Sequence, residues 1–163
     1  MTEKKKNRIK TIAGYALCAL IPVVFFLLFR IAGVDGESME STYHNGNLVL
    51  VSNFSKVDKG DIIAINVTVD GEKEKYIKRV IGLEGDVIDI RAGKVYVNEE
   101  ELDEPYIKEE MQEYEDSIAF PHTVGEDEIF VMGDNRNNSL DSRSKHLEPI
   151  RTNDVIGVVL FKL

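Results

Sequence analysis

The sequence predicts a mostly β protein, its antiparallel sheets coiled into a barrel-like domain behind one N-terminal transmembrane helix. Three observations carry that expectation. An uncharged apolar run occupies the start of the chain, and beyond it 3.6-residue periodicity nearly vanishes. Short runs rich in β-branched residues then recur between turn signals, roughly every 8–12 residues. The 163 residues suffice for one modest domain, and 43% hydrophobic with 30% charged residues fits a folded chain rather than a disordered one.

Residues 1–10 form a basic head in which Lys4, Lys5, Lys6, Arg8 and Lys10 face only Glu3. Residues 11–30 are the predicted transmembrane segment. From Thr11 to Phe29 the run TIAGYALCALIPVVFFLLF holds no charge. It is about 19 residues long, near the roughly 20 that cross a bilayer core. Pro22 interrupts it, which a membrane helix tolerates. A cleavable secretory leader also begins basic and then apolar, but its apolar part is only about 7–15 residues and ends in small residues two apart. Here the exit reads Phe29-Arg30-Ile31-Ala32-Gly33, so a retained anchor is expected. Positive charge stays on the cytoplasmic side. The N-terminus is therefore predicted inside the cell membrane and residues 31–163 outside it, as one extracytoplasmic β-rich domain.

Within that domain the strands follow in order. Asn47 to Val51 is a short apolar strand after the His44-Asn45-Gly46 turn signal. Asp61 to Val69 is rich in β-branched residues, Asp70-Gly71 is a turn, and Lys75 to Ile81 is the next strand. Asp86 to Arg91 and Lys94 to Val97 flank Ala92-Gly93 and read as a hairpin. Glu128 to Met132 and Val155 to Phe161 supply two late strands. The acidic stretch from Glu99 to Asp116 reads as a solvated excursion from the sheet.

Charge and composition exclude several functions. The whole chain carries a formal −9, and the part beyond Arg30 roughly −14; such a domain repels phosphate backbones, so no nucleic-acid partner is expected. Cys18 is the only cysteine and lies in the apolar run, which leaves no disulfide and no cysteine-based metal site within one chain. The stretch Asp134 to Asp141 departs from a calcium-binding loop, with Ser139 in the glycine slot and Arg136 in a ligand slot. No metal or other cofactor is expected, and Asp134 and Asp141 read as turn and ion-pair residues.

A hydrolytic site needs a nucleophile and a group to take its proton. His44, His122 and His146 all sit in polar or turn-like settings, none in a recognisable catalytic frame, and read as surface residues. Lysine can serve instead if burial lowers its pKa from about 10.4 towards 8, because desolvation penalises the charged form. In Tyr76-Ile77-Lys78-Arg79-Val80-Ile81, strand alternation puts Tyr76, Lys78 and Val80 on one face and Ile77, Arg79 and Ile81 on the other. Both faces carry apolar residues, so the pattern leaves the burial of Lys78 open. A candidate nucleophile, Ser38, follows Gly36-Glu37 a few residues beyond the predicted helix exit. Glycine there admits a close substrate backbone and Met39 offers an apolar wall, although a serine near glycine is common.

Taken in order, the basic start and apolar run, GESMESTYHNGNLVLV, KGDIIAI, KYIKRVIGLEGDVI and VMGDNRNNSLDSR resemble type I signal peptidases, in particular the short bacterial forms with a single anchor. The resemblance covers essentially the whole chain. It implies a membrane-bound serine endopeptidase that removes signal peptides from exported preproteins through a Ser/Lys dyad and an acyl-enzyme. Ser38 matches the nucleophile and Lys78 the general base. Ser139 matches a serine that hydrogen-bonds and orients that lysine, Asp141 and Arg143 match a structural ion pair, and Gly133-Asp134-Asn135 matches a supporting loop. Val34, Met39, Tyr43 and Ile77 match the walls of shallow pockets for small substrate side chains. The backbone N–H of Ser38 would help bind the oxyanion; Gly36 stands where some members add a serine hydroxyl. The implied partners are signal peptides and membrane lipid.

One departure stands out: the family motif Ser-Met-x-Pro-Thr-Leu reads Ser38-Met39-Glu40-Ser41-Thr42-Tyr43. Replacing proline frees φ and restores an N–H, so a looser loop is expected. Two other functions remain in view. A self-cleaving repressor-type Ser/Lys protease would carry a DNA-binding helical domain, and none precedes Ser38 in this sequence. A catalytically silent, membrane-tethered homologue would act as a binding module.

Overall fold

The computed structural model describes residues 3–113 and 116–163. Met1 and Thr2 of the basic head, and Tyr114 and Glu115 of the acidic stretch, lie outside the described residues. The chain starts as helix α1 (Glu3–Leu28) and continues as strands β1 (Phe29–Gly33), β2 (Leu48–Ser52), β3 (Ile62–Val69) and β4 (Glu72–Leu83). Then come β5 (Val87–Arg91), β6 (Lys94–Val97), β7 (Glu100–Glu101), β8 (His122–Thr123), β9 (Ile129–Met132) and, after a short 3-10 turn at Thr152–Asp154, β10 (Val155–Lys162).

The helix stops two residues before the end of the predicted segment 11–30. Phe29 and Arg30 already pair with β2, in the register Phe29↔Ser52 and Arg30↔Val51. Asn53 closes the helix end: its N–H donates to Leu28 O at 3.0 Å and its side-chain amide to Leu27 O at 3.2 Å, which satisfies carbonyls that a helix terminus leaves without partners. Phe29 also packs its ring between those of Phe25 and Phe54, at centroid distances of 5.0 and 5.5 Å. Gly14 to Leu28 are exposed along α1. Among the described residues, no helix is long and apolar enough to cross a membrane.

The strands form two antiparallel sheets. The larger has the order β1-β2-β10-β3-β4-β9 and the smaller β7-β6-β5-β8. Both are open, with β1 and β9 at the edges of the larger, so curvature comes from bulges between Val80 and Gly82 in β4 and at two places in β10. The turns follow sequence chemistry. Asp70-Gly71 joins β3 to β4 with φ of 49° and 86°, and Ala92-Gly93 joins β5 to β6 with 49° and 76°, the left-handed pair that a two-residue hairpin requires.

Alternation along β3 sorts two cores. Ile63, Ile65 and Val67 pack with Val80, Ile129, Val131, Leu147 and Val158 on one side of the sheet. Ile62 and Ala64 pack on the other with Val34, Met39, Tyr43, Val49, Val51 and Val159. A third core, around Ile81, Ile88, Val95, Met111 and Phe130, joins the two sheets. The acidic stretch is only partly the solvated excursion expected of it, because Met111 is 7% exposed and the Glu104 side chain 8%. The first fills the third core and the second answers a buried arginine.

Candidate active site

Ser38 lies on the loop from Val34 to Asn47, which the backbone closes at its neck. Val34 N donates to Asn47 O and Gly46 N to Val34 O, each at 2.8 Å. Gly36 turns the chain at φ +88°, while Met39, only 1% exposed, plugs the loop into the second core. Ser38 itself is half-buried. Its carbonyl accepts from Asn135 N at 3.0 Å, and Asn135 Nδ2 donates to Glu37 O at 3.1 Å, so the 133–136 loop holds the serine from behind. Gly133 is obligatory in that packing. A Cβ there would stand 2.5 Å from Ser38 O and would also collide with Ser139 Oγ.

Lys78 comes from β4 with Tyr76 and Val80 on its face, opposite Ile63 of β3. It is 3% exposed. Its Nζ lies 2.6 Å from Ser38 Oγ, within hydrogen-bond distance, and 4.8 Å from the centre of the Tyr76 ring. Burial lowers its pKa from 10.5 to about 8; the Asp141 charge pushes the other way, Arg143 adds to the lowering, and Asp134 opposes it. Arg143, which holds Asp141, offsets part of that counter-charge. Arg143 Nε and NH2 donate to the two Asp141 oxygens at 2.8 and 2.9 Å, and Gly133 N donates at 2.9 Å. Burial by itself would raise the Asp141 carboxyl, but these bonds, the Arg143 charge and nearby Ser139 hold it below the usual carboxylate range.

Ser139 sits differently from the expectation: its hydroxyl is buried beside Gly133 and on the Asp141 side, and among the described residues it makes no hydrogen bond to Lys78, whose Nζ meets Ser38 instead. The expected wall residues do meet: Val34, Met39 and Tyr43 are buried in one apolar cluster and Ile77 packs half-buried against it. His44 and His146 lie on the surface, their side chains 60% and 53% exposed.

The residues missed in the sequence lie on the other face of β4. Arg79 donates to both oxygens of Asp134 at 2.8 and 2.7 Å and to Gly60 O at 2.9 Å. Asp134 also accepts from the Thr42 hydroxyl, and the Arg79 guanidinium stacks 3.8 Å over the Tyr106 ring. Glu104 takes a two-pronged bond from buried Arg136, whose Nε also reaches Gly133 O at 3.0 Å. Strand alternation set Arg79 opposite Lys78, which was a signal that they have different partners. Nothing local in the sequence marks Tyr106 or Glu104.

Next to the pair, β4 has an open side. β9 joins it only from Arg79 onward, while Glu72 to Lys78 pair with β3 alone among the described residues. The Ser38 N–H is likewise uncommitted among the described residues. An activatable hydroxyl, a buried amine, a free amide and an unpaired strand edge suit hydrolysis of an extended peptide.

That chemistry defines a β-rich serine hydrolase class, and comparison with known proteins places the chain within it. The family model described as signal peptidase, peptidase S26, matches residues 6–163, and the chain belongs to this family. It is 35% identical to signal peptidase I U of Bacillus subtilis (strain 168), over 96% of this chain and 89% of that one. Signal peptidase I P of Bacillus subtilis subsp. natto is also 35% identical, over 97% and 92%. A crystal structure of a signal peptidase I from Enterococcus faecalis V583 superposes with a TM-score of 0.53 at 31% identity, covering 65% of this chain and 98% of that one.

Proposed function

We propose that this chain is a membrane-bound serine endopeptidase that removes signal peptides from exported preproteins, with Ser38 as nucleophile and Lys78 as general base. Family membership supports the reaction, and one observation carries the assignment of residues: the 2.6 Å approach of a buried Lys78, with its pKa lowered to about 8, to the Ser38 hydroxyl. Neutral Lys78 accepts the Ser38 proton as the hydroxyl oxygen attacks the scissile carbonyl, and the free Ser38 N–H donates to the oxyanion. The tetrahedral intermediate collapses to an ester on Ser38, and Lys78 returns its proton to the departing amine. Lys78 then deprotonates a water, which hydrolyses the ester and restores the serine.

The substrate binds extended along the open side of β4. Ile77, a half-buried member of the apolar cluster on β4 itself, lines it, backed by Val34, Met39 and Tyr43. The uncharged run from Thr11 to Phe29 anchors the chain. The sheet face beside the helix exit suits the same setting. Ile31, Leu48 and Phe161, from three adjacent strands, and Leu163 just past β10 are 51–55% exposed, an apolar patch that headgroups and acyl chains would cover. Holding enzyme and substrate at one interface raises their effective concentration.

Cleavage of a preprotein by the detergent-solubilised full chain tests this. Activity in the wild type, lost in both Ser38→Ala and Lys78→Ala, is the expected result. A folded wild-type chain without turnover would instead favour a silent binding module.

A further inference from the structure

The turn that carries the nucleophile lacks the proline of the family motif, and the structure ties that turn down from outside. We propose that the strap of residues 104–108 positions Ser38, with Tyr106 and Lys108 as its positioning residues; this rests on the dyad reading above.

The strap meets the turn directly at two points and through Asp134 at a third. Lys108 Nζ donates to Glu40 Oε2 at 2.8 Å, and the Ser41 hydroxyl donates to Tyr106 O at 3.3 Å. Lys108 N donates to Asp134 O at 3.3 Å, and Asp134 in turn receives the Thr42 hydroxyl. The strap is itself anchored on buried groups. Glu104 grips Arg136, the Tyr106 hydroxyl donates to Glu104 at 3.2 Å, and the Tyr106 ring lies under Arg79. Residues 40, 41 and 42 are thus each held by a side chain, and Ser38 is two residues from the first of them. A turn held this way keeps the Ser38 oxygen at its 2.6 Å distance from Lys78 without a fixed φ at position 41.

Two readouts on the full chain in detergent test the strap: preprotein cleavage, and amide hydrogen exchange, which needs no turnover. Lys108→Met should lower kcat about three- to fivefold, the scale of an exposed ion pair, with KM within twofold. It should speed exchange over residues 37–43 by a similar factor and leave β2 and β3 unmoved. Lys108→Arg should restore both. Tyr106→Leu should lower kcat about tenfold, and Tyr106→Phe, which keeps the ring under Arg79, should recover most of that loss. In a Ser41→Pro background, Lys108→Met should cost less than twofold. Unchanged kcat and exchange in Lys108→Met, or an undiminished loss beside Ser41→Pro, would overturn the proposal. If the wild type cleaves nothing, the dyad reading is the one that fails, and exchange alone decides whether the strap holds the turn.

Discussion

On one face of β4 Lys78 is buried beside a serine hydroxyl, with the carboxylate that acts on it most, Asp141, bonded to Arg143. On the opposite face, one residue along, Arg79 receives a carboxylate of its own, a backbone carbonyl and an aromatic ring. The two cations share a strand, Lys78 the deeper of them at 3% exposed against 12% for the Arg79 side chain, and burial drives Lys78 towards neutrality while Arg79 stays charged. The difference lies in deeper desolvation at Lys78 together with the carboxylate partner that Arg79 has. In the proposed mechanism the cation without a carboxylate of its own serves as the base, and the one that has it is a brace. Residue type reinforces the division, because a guanidinium cannot be deprotonated in this range and an ammonium can.

The largest test of that contrast is to make the two faces alike. Lys78→Arg puts a permanent cation where a proton acceptor is needed, and cleavage should fall at least about 1,000-fold, as when a general base is removed from a serine protease. Lys78→Met should lose as much activity while gaining stability at neutral pH, because it removes a desolvated amine. Paired activity and thermal-melt measurements check both. If Lys78→Arg kept more than about a tenth of wild-type turnover, the amine would not be the base.

Breaking the brace comes next. Arg79→Met leaves the fully buried Asp134 carboxylate unpaired, which should cost about 3 kcal/mol. Arg79→Met with Asp134→Leu should recover part of that loss, since no charge is then stranded. Denaturant unfolding of the three proteins measures it, and equal losses in the single and double variants would mean that the pair is not what Arg79 contributes. Gly133→Ala strikes the support behind Ser38. Its Cβ would collide with the Ser38 carbonyl and Ser139 Oγ, so about 1–3 kcal/mol of overpacking is expected, with turnover falling further than stability alone explains. Ser139→Gly in the same chain should return only part of the loss, because the backbone oxygen remains.

How much of this could be read beforehand follows from what is local. The strands from Leu48 to Val97 were legible because β-branched runs and the Asp70-Gly71 and Ala92-Gly93 turns act within a few residues. β1 was not, since Phe29 to Gly33 continues the apolar run without a break and becomes a strand only by pairing with β2. At the site, Ser38 and Lys78 were legible as candidates through short motifs and their order, but alternation left the burial of Lys78 open because both faces of its strand carry apolar residues. The strap could not be seen at all. EEELDEPYIKEE looks solvated until Glu104 meets Arg136 across 32 positions and Tyr106 meets Arg79 across 27. Where the Ser139 hydroxyl sits, towards Gly133 and Asp141, was not legible for a related reason, in that a motif names neighbours in sequence without fixing where a hydroxyl points.

The gentlest test changes only the proton concentration. With a Lys78 pKa of about 8, about a tenth of the enzyme carries the neutral amine at pH 7 and about three quarters at pH 8.5, so kcat/KM should rise roughly eightfold across that interval and then level off. Stability should move with it. In the folded chain the pKa is depressed, so below about pH 8 the amine is charged in both states and its burial costs the fold about 3 kcal/mol relative to an uncharged side chain. As pH rises from about 8 to 10.5 the folded state releases its proton while the unfolded state keeps it, and the penalty fades; above 10.5 it is gone. Lys78→Met should therefore exceed the wild type in stability most below pH 8 and converge with it by about pH 10.5, while Arg79→Met shows no such convergence. A flat kcat/KM between pH 6 and 9, or a constant stability gap between Lys78→Met and wild type, would mean that the two faces of β4 hold their cations alike.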